Sequence, residues 1–220
     1  MRSIKGTDPK AGFAVDVQAI RKRARAHISD GAVTTAYKGR RATIVGLLNA
    51  SLATEIVCVL RYKRHHFMSS TLGGIAGYAV TAELGVHATE EQEHADLLAG
   101  RIVQLGGEPD FDPAGLTTRS HAQYVAGATL VEMLEEDLIA ERIAIDTYGE
   151  IIRYIGDDDP TTRRLFETIL AQEEEHADEI NDFLRRERGA NGMTRPVLLA
   201  RPLDRRPRGG GPGHGHRSAS

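Results

Sequence analysis

The chain has 220 residues, with 28 Lys and Arg against 31 Asp and Glu, 40% hydrophobic residues, no Trp and one Cys. That length suits one domain with a sizeable core, and a single cysteine excludes a disulfide framework and any zinc or redox site built on a CxxC pair. The net charge of −3 is unevenly placed: residues 1–40 carry +6 and residues 189–220 carry +5, which leaves −14 for 41–188, an acidic body between two basic arms.

In chain order, the N-terminal arm 1–40 contains a short helical pattern at 16–27. A long helix is predicted over 41–67, where Ile44, Leu47, Leu48, Ala53, Ile56, Val59 and Leu60 recur at helical spacing. A Ser/Thr/Gly break follows. A second helix runs over 75–105 and stops at Gly106-Gly107, with Pro109 and Pro113 beyond. Residues 108–120 lack a period and read as a loop long enough for a crossover. A third helix is predicted over 120–154, ending at Gly156 and Asp157-Asp158-Asp159-Pro160. A fourth starts at Pro160 and continues to 188. The remainder, 189–220, holds seven of the 23 glycines and four of the eight prolines, and reads as a disordered tail. Neither a membrane-length apolar run nor a charged-then-apolar leader is evident, so a soluble, cytoplasmic protein with no membrane partner is expected. Four long helices without alternating strand patterns make this an all-α chain, a four-helix bundle over 41–188.

The chemistry lies in a repeat. The second helix holds Glu91-Gln92-Glu93-His94-Ala95-Asp96 and the fourth holds Glu173-Glu174-Glu175-His176-Ala177-Asp178. The first helix offers Glu55 with Tyr62 seven residues on, and the third offers Glu141 with Tyr148 at the same interval. Residues three apart share a helix face, so Glu91 with His94 can ligate one metal ion and Glu173 with His176 another. A lone Glu-x-x-His on an acidic helix is ordinarily surface decoration. Glu55 and Glu141, however, interrupt apolar stretches, where an unpaired carboxylate is costly. Four carboxylates neutralise two divalent cations, and oxygen and imidazole donors without thiolate suit iron, with manganese as the alternative.

These motifs, with Glu132-Met133-Leu134-Glu135-Glu136-Asp137 leading into Glu141, resemble bacterioferritins. More closely, the chain resembles the bacterioferritin-like branch of the ferritin/Dps-like proteins, over about 41–186. The resemblance implies a ferritin-like bundle with a di-iron ferroxidase, two iron ions per subunit, inside a homo-oligomeric shell of twelve or twenty-four subunits. It implies that Glu55 and Glu141 are terminal carboxylates, Glu91 and Glu173 bridging ones, and His94 and His176 terminal imidazoles. Tyr62 matches a tyrosine beside the iron pair, as an electron donor or a hydrogen-bond partner to a ligand. The expected function is iron storage and detoxification: Fe(II) is oxidised by O2 or hydrogen peroxide and deposited as ferric mineral. Bacterioferritins place a haem-ligating Met after the bridging Glu of the second helix. Here it is Gln92, so no haem is expected. A single Cys58 also departs from the cysteine pair of thiol-bearing Dps-like members, and it reads as a buried structural residue. His65 and His66 are expected to cap their helix or meet solvent. Glu90 is expected either to pass ions or simply to be solvated. Two other functions compete: a Dps-type shell whose basic arms hold DNA, and a small di-iron oxygenase or peroxidase.

Overall fold

The computed structural model describes residues 15–29, 31–72 and 77–193, and every regular element among them is helical. Helix α1 spans Val17–Ala26, α2 Arg41–Leu72, α3 Gly77–Gln104, a short α4 Leu116–Arg119, α5 Leu130–Ile155 and α6 Pro160–Met193. The ferritin-like fold class read from the sequence is the one found. The Gly-rich break at 73–76, the first 14 residues and 194–220 lie outside the described residues, whereas 189–193, expected to belong to a disordered tail, continue α6.

Each long helix carries one stripe of buried residues at three- and four-residue intervals. On α2 the stripe is Ile44, Leu48, Leu52, Glu55, Cys58, Tyr62 and His65; on α6 it is Phe166, Ile169, Glu173, His176, Ile180 and Leu184. The residue pairs 55/148 and 61/137 set α2 antiparallel to α5. Likewise 94/172 and 101/162 set α3 antiparallel to α6. Since α2–α3 and α5–α6 are the extensively packed pairs, the order is up-down-down-up. The connection 105–129 must therefore run the length of the bundle.

That connection is more structured than the sequence suggests. A 3-10 turn at Pro113–Gly115 and α4 lie within the stretch read as loop, and 120–129 is an extended strap rather than the first turns of α5. Two features force the later helix start. Gly127 has φ +62°, and a Cβ there would lie 2.9 Å from the Met133 backbone nitrogen. Thr129 and Glu132 then form a reciprocal capping box at the true N-terminus. Buried charge ties the strap down: Arg61 Nε donates to Asp137 Oδ1 at 2.8 Å and Arg61 Nη1 donates to the Gln123 carbonyl at 3.2 Å. The His65 ring lies between Asp137 (2.8 Å) and the Ala126 carbonyl (2.9 Å). His65 is thus a core residue, not a cap, because α2 continues to Leu72 rather than ending at 67. His66 meets the Thr81 carbonyl at 2.7 Å, and Cys58 is buried.

The apolar character of α2 also needs correcting. Within Arg41–Thr71 an 18-residue window has a mean hydropathy of 1.8, enough by length and composition to cross a membrane, but 56% of that window is buried inside the bundle. Glu55 and Arg61 lie among its buried positions with partners on α5, as expected of a core helix.

At the opposite end of the bundle Asp159 gathers three elements. It accepts from the Thr162 backbone N–H at 2.9 Å, from Arg101 Nη2 at 2.9 and 3.0 Å, and from the Tyr37 hydroxyl at 2.8 Å. Burial alone would raise its carboxyl. The hydrogen bonds from Thr162, Tyr37 and Arg101 overcome that and hold it below the ordinary range. Such a group stabilises the fold above its unfolded value of about 3.9, and the stabilisation is lost as pH falls through the folded value. Asp159→Asn is expected to lower stability at pH 7 by about 3 kcal/mol, because Arg101 loses its counter-charge. The gap from wild type should close below about pH 4. Thermal unfolding followed by circular dichroism across pH checks both; a gap that does not change with pH rules out the linkage.

Candidate metal centre

The two larger apolar clusters among the described residues meet at a polar waist. One cluster contains Leu48, Leu52, Leu98, Ile102, Tyr148 and Phe166; the other contains Tyr62, Leu84, Leu134, Leu138, Ile180 and Leu184. On every long helix the predicted ligand falls on the buried stripe where one cluster gives way to the other. Glu55, Glu91, His94, Glu141, Glu173 and His176 are all at most 2% exposed.

The structure brings these six side chains together as two overlapping groups. Donor atoms of Glu55, Glu91, His94 and Glu173 lie within 4.8 Å of one another, and so do those of Glu91, Glu141, Glu173 and His176. Glu91 and Glu173 are common to both. His94 Nδ1 is 3.1 Å from Glu173 and 3.4 Å from Glu55; His176 Nδ1 is 3.3 Å from Glu91 and 3.6 Å from Glu173. The fit to a pair of cations is visible in what the atoms lack. Glu55 Oε2, Glu91 Oε1, both Glu173 oxygens and both Nδ1 atoms are buried without a hydrogen-bond partner. Orphaned buried polar atoms are rare in folded proteins, and here they converge on one volume.

The opposite edges of the ligands are fixed. Tyr62 donates its hydroxyl hydrogen to Glu141 Oε1 and Tyr148 donates to Glu55 Oε1, so each tyrosine holds a carboxylate carried by the other helix. His94 Nε2 donates to Gln172 Oε1 at 3.0 Å, and His176 Nε2 donates to Glu90 Oε2 at 2.9 Å. Anchoring Nε2–H leaves the Nδ1 lone pair for a cation, the usual outer support of an imidazole ligand. Glu90 is therefore neither a free transit group nor an ordinary solvated carboxylate. The roles of Tyr148, Gln172 and Glu90 were not assigned from the sequence. The Glu-x6-Tyr repeat pointed to Tyr148. Gln172 and Glu90 occupy matching positions directly before the two shared carboxylates. His87 stacks on His176 with ring centroids 4.2 Å apart, is 1% exposed, and has Nε2 2.9 Å from Glu179. Burial and the neighbouring His176 hold His87 down to about 3.

Without cations the carboxylates share protons. Burial, then repulsion from the other carboxylates, raises Glu91 and Glu141 well above the ordinary range, and Glu173 is raised by the same two effects. Burial opposes charge on Glu55 and His94 too. The approach of His94 Nδ1 to Glu55 and Glu173, with the Tyr148 hydroxyl on Glu55, outweighs it, lowering Glu55 and lifting His94 to about 11.

The family model for a ferritin-like domain matches residues 45–190. The chain belongs to the ferritin family. Among its ferritin relatives, the bacterioferritin of Desulfovibrio desulfuricans is 29% identical over 138 residues, covering 62% of this chain and 72% of that protein. The bacterioferritin of Rhodobacter capsulatus is 30% identical over 169 residues, covering 74% and 96%. A dodecameric thioferritin described as the bacterioferritin-related protein of Bacteroides fragilis superposes with a TM-score of 0.66 at 27% identity, covering 81% of this chain and 99% of its own. This is a bacterioferritin-like member of the superfamily.

The shared protons give the metal-free ferritin a definite pH behaviour. A carboxyl raised on folding, such as Glu91 or Glu141, destabilises progressively as pH climbs above its unfolded value of about 4.3. His94, raised on folding, contributes stability that is complete below about 6.5 and is lost as pH rises toward its folded value. Both trends have one sign: the metal-free protein loses stability from pH 6 to 9. Glu91→Gln, neutral throughout, should unfold at higher temperature than wild type at pH 8 and show a shallower slope. Thermal scans in chelator test this; parallel slopes for the two proteins would show that Glu91 is not held protonated.

Proposed function

We propose that this protein is an iron-storing ferroxidase, and that Glu55, Glu91, His94, Glu141, Glu173 and His176 bind pairs of Fe(II) as substrate. The observation that carries the reading is the set of orphaned Glu and His atoms converging from four helices in two overlapping groups. Four carboxylates offset the charge of two divalent ions in a buried site, and hard oxygen donors with imidazole suit iron. Each Fe(II) gives one electron. A pair reduces one O2 to hydrogen peroxide, or one hydrogen peroxide to two waters, taking up two protons in either case. The chain's own contribution is positional. Tyr62 and Tyr148 hold the outer edges of Glu141 and Glu55, Gln172 and Glu90 aim the two imidazoles, and the apolar clusters on either side keep bulk water from the pair. Ferric product leaves for a mineral held inside a shell of identical subunits, an assembly supported by the dodecameric state of the Bacteroides fragilis relative.

Fe(II)-dependent consumption of O2 and of hydrogen peroxide tests the reaction. Wild type should exceed the Glu91→Ala, Glu173→Ala double variant by at least about 100-fold, since the variant loses both shared carboxylates. Equal rates would remove the ferroxidase reading.

The haem-free reading rests on Gln92. Its side chain is exposed and donates to Asp96 Oδ1 on its own helix at 3.0 Å, and a neutral amide is a poor axial ligand. Of the nearby alternatives, Met133 and His87 are buried inside the bundle. Protein expressed with added haem is expected to show no Soret band; a stoichiometric band would overturn this assignment.

A further inference from the structure

We infer that the two metal positions are unequal, and that the one beside His176 is the tighter and fills first, because Glu90 stands behind that imidazole where only a neutral amide stands behind the other. This inference rests on the dinuclear site proposed above. The helices α3 and α6 repeat each other at an offset of 82 residues, which superposes Glu91 on Glu173, His94 on His176 and Asp96 on Asp178. The same offset exposes where the repeat is broken. Glu90 corresponds to Gln172, His87 to Ile169, Glu83 to Leu165, and Glu179 to Leu97.

Every one of those differences sits beside one imidazole. On the His176 side, Glu90 accepts from Nε2 at 2.9 Å and His87 stacks on the ring. A cleft of about 80 Å³ there is lined by Glu83, Glu90, Glu175, Glu179 and His176, and Val86 and Gln172 complete its wall. On the His94 side, Nε2 donates to the uncharged Gln172, and Ile169 is fully buried in the apolar cluster with Leu165 packed against it. A carboxylate accepting the outer N–H polarises an imidazole and strengthens its inner nitrogen as a metal donor; losing such a partner ordinarily weakens metal binding by about 10–100-fold. The negative charge of Glu90 adds a direct attraction for the cation. The four remaining ligand carboxylates do not distinguish the two positions, since Glu91 and Glu173 are shared and Glu55 and Glu141 each accept from a tyrosine. Glu90 is thus a positioning residue that ranks the two sites.

Co(II) is the probe, added to the full-length metal-free protein and followed by its visible absorption and by calorimetry. Wild type should bind two ions in steps separated by about tenfold or more, and anomalous diffraction at substoichiometric Co(II) should place the first ion at His176. Glu90→Gln should bring the two affinities together, and Gln172→Glu should tighten the weaker one. Glu175→Gln removes a charge from the same cleft without touching an imidazole, and should leave the separation intact. Two ions of indistinguishable affinity in wild type, a first ion at His94, or an unchanged separation in Glu90→Gln would each overturn the ranking while the dinuclear site stands. An equal effect of Glu175→Gln would overturn it in favour of a general field of the cleft. Failure to bind two Co(II) ions at all would instead overturn the dinuclear reading itself.

Discussion

Four carboxylates placed on the inner stripes of four helices are the constraint that organises this molecule. A carboxylate in an apolar interior is tolerated only when neutralised or paired. Among the described residues the two buried arginines do not do it: Arg61 is committed to Asp137 and Arg101 to Asp159. What the chain does supply is two tyrosine hydroxyls and two imidazoles, which orient the carboxylates and share protons with them. Among the described residues, Glu55 Oε2, Glu91 Oε1, both Glu173 oxygens and both imidazole Nδ1 atoms are left without a hydrogen bond. Around this waist the helices have little freedom. Shifting α2 or α6 by a turn toward the Leu52 or Ile169 position would carry Glu55 or Glu173 into an apolar cluster and bring an apolar side chain into the polar waist.

The two arginine–aspartate pairs belong to the same logic. Each lies at one side of the waist, and each ties an irregular segment to the helices: Arg61 reaches the Gln123 carbonyl of the crossover while His65, also on Asp137, meets the Ala126 carbonyl, and Arg101–Asp159 secures the arm through Tyr37. Crossovers that run the length of a bundle have few backbone partners of their own, and buried charge gives them directional anchors that apolar packing lacks. The crossover and the arm are thereby anchored on opposite sides of the polar centre.

The helices, and the six Glu and His side chains that the bundle gathers at its waist, were legible because both obey short-range rules. Glu-x-x-His is a local pattern, and a charged residue interrupting an apolar period is visible without a structure. The start of α5 was not legible, since 120–129 contains Ala122, Tyr124 and Val125 at spacings that imitate a helix. Only the left-handed backbone at Gly127 and the cap at Thr129 show where the turn ends. His65, Arg61 and Asp137 were missed for a different reason. A charged residue at a core position looks like a surface residue until its partner is known, and these partners lie on a separate helix. Glu90 and Gln172 were missed because they are acidic or polar residues in runs of such residues, and only the hydrogen bond to an imidazole separates them from their neighbours.

The repeat shows how a site symmetric in its six central side chains is asymmetric around them. Two identical halves would present two equal polar clefts, each letting water reach the imidazoles and weakening the apolar cluster beside it. Replacing His87, Glu83 and Glu179 by their counterparts Ile169, Leu165 and Leu97 puts apolar side chains at the corresponding positions on the other half, and Phe166, Ile169 and Tyr148 pack together there. The buried apolar surface on that side contributes stability at roughly 25 cal/mol per Å², which a second cleft would forfeit. The half that keeps its carboxylates bears their mutual repulsion, seen in the raised Glu83, where burial and then Glu179 and Glu90 disfavour its charge. A cation arriving there relieves that repulsion, whereas on the apolar side it would meet no charge until it reached the ligands. Apolar packing and the charged cleft thus lie on opposite halves of one repeat, and the six Glu and His side chains at the waist are common to both.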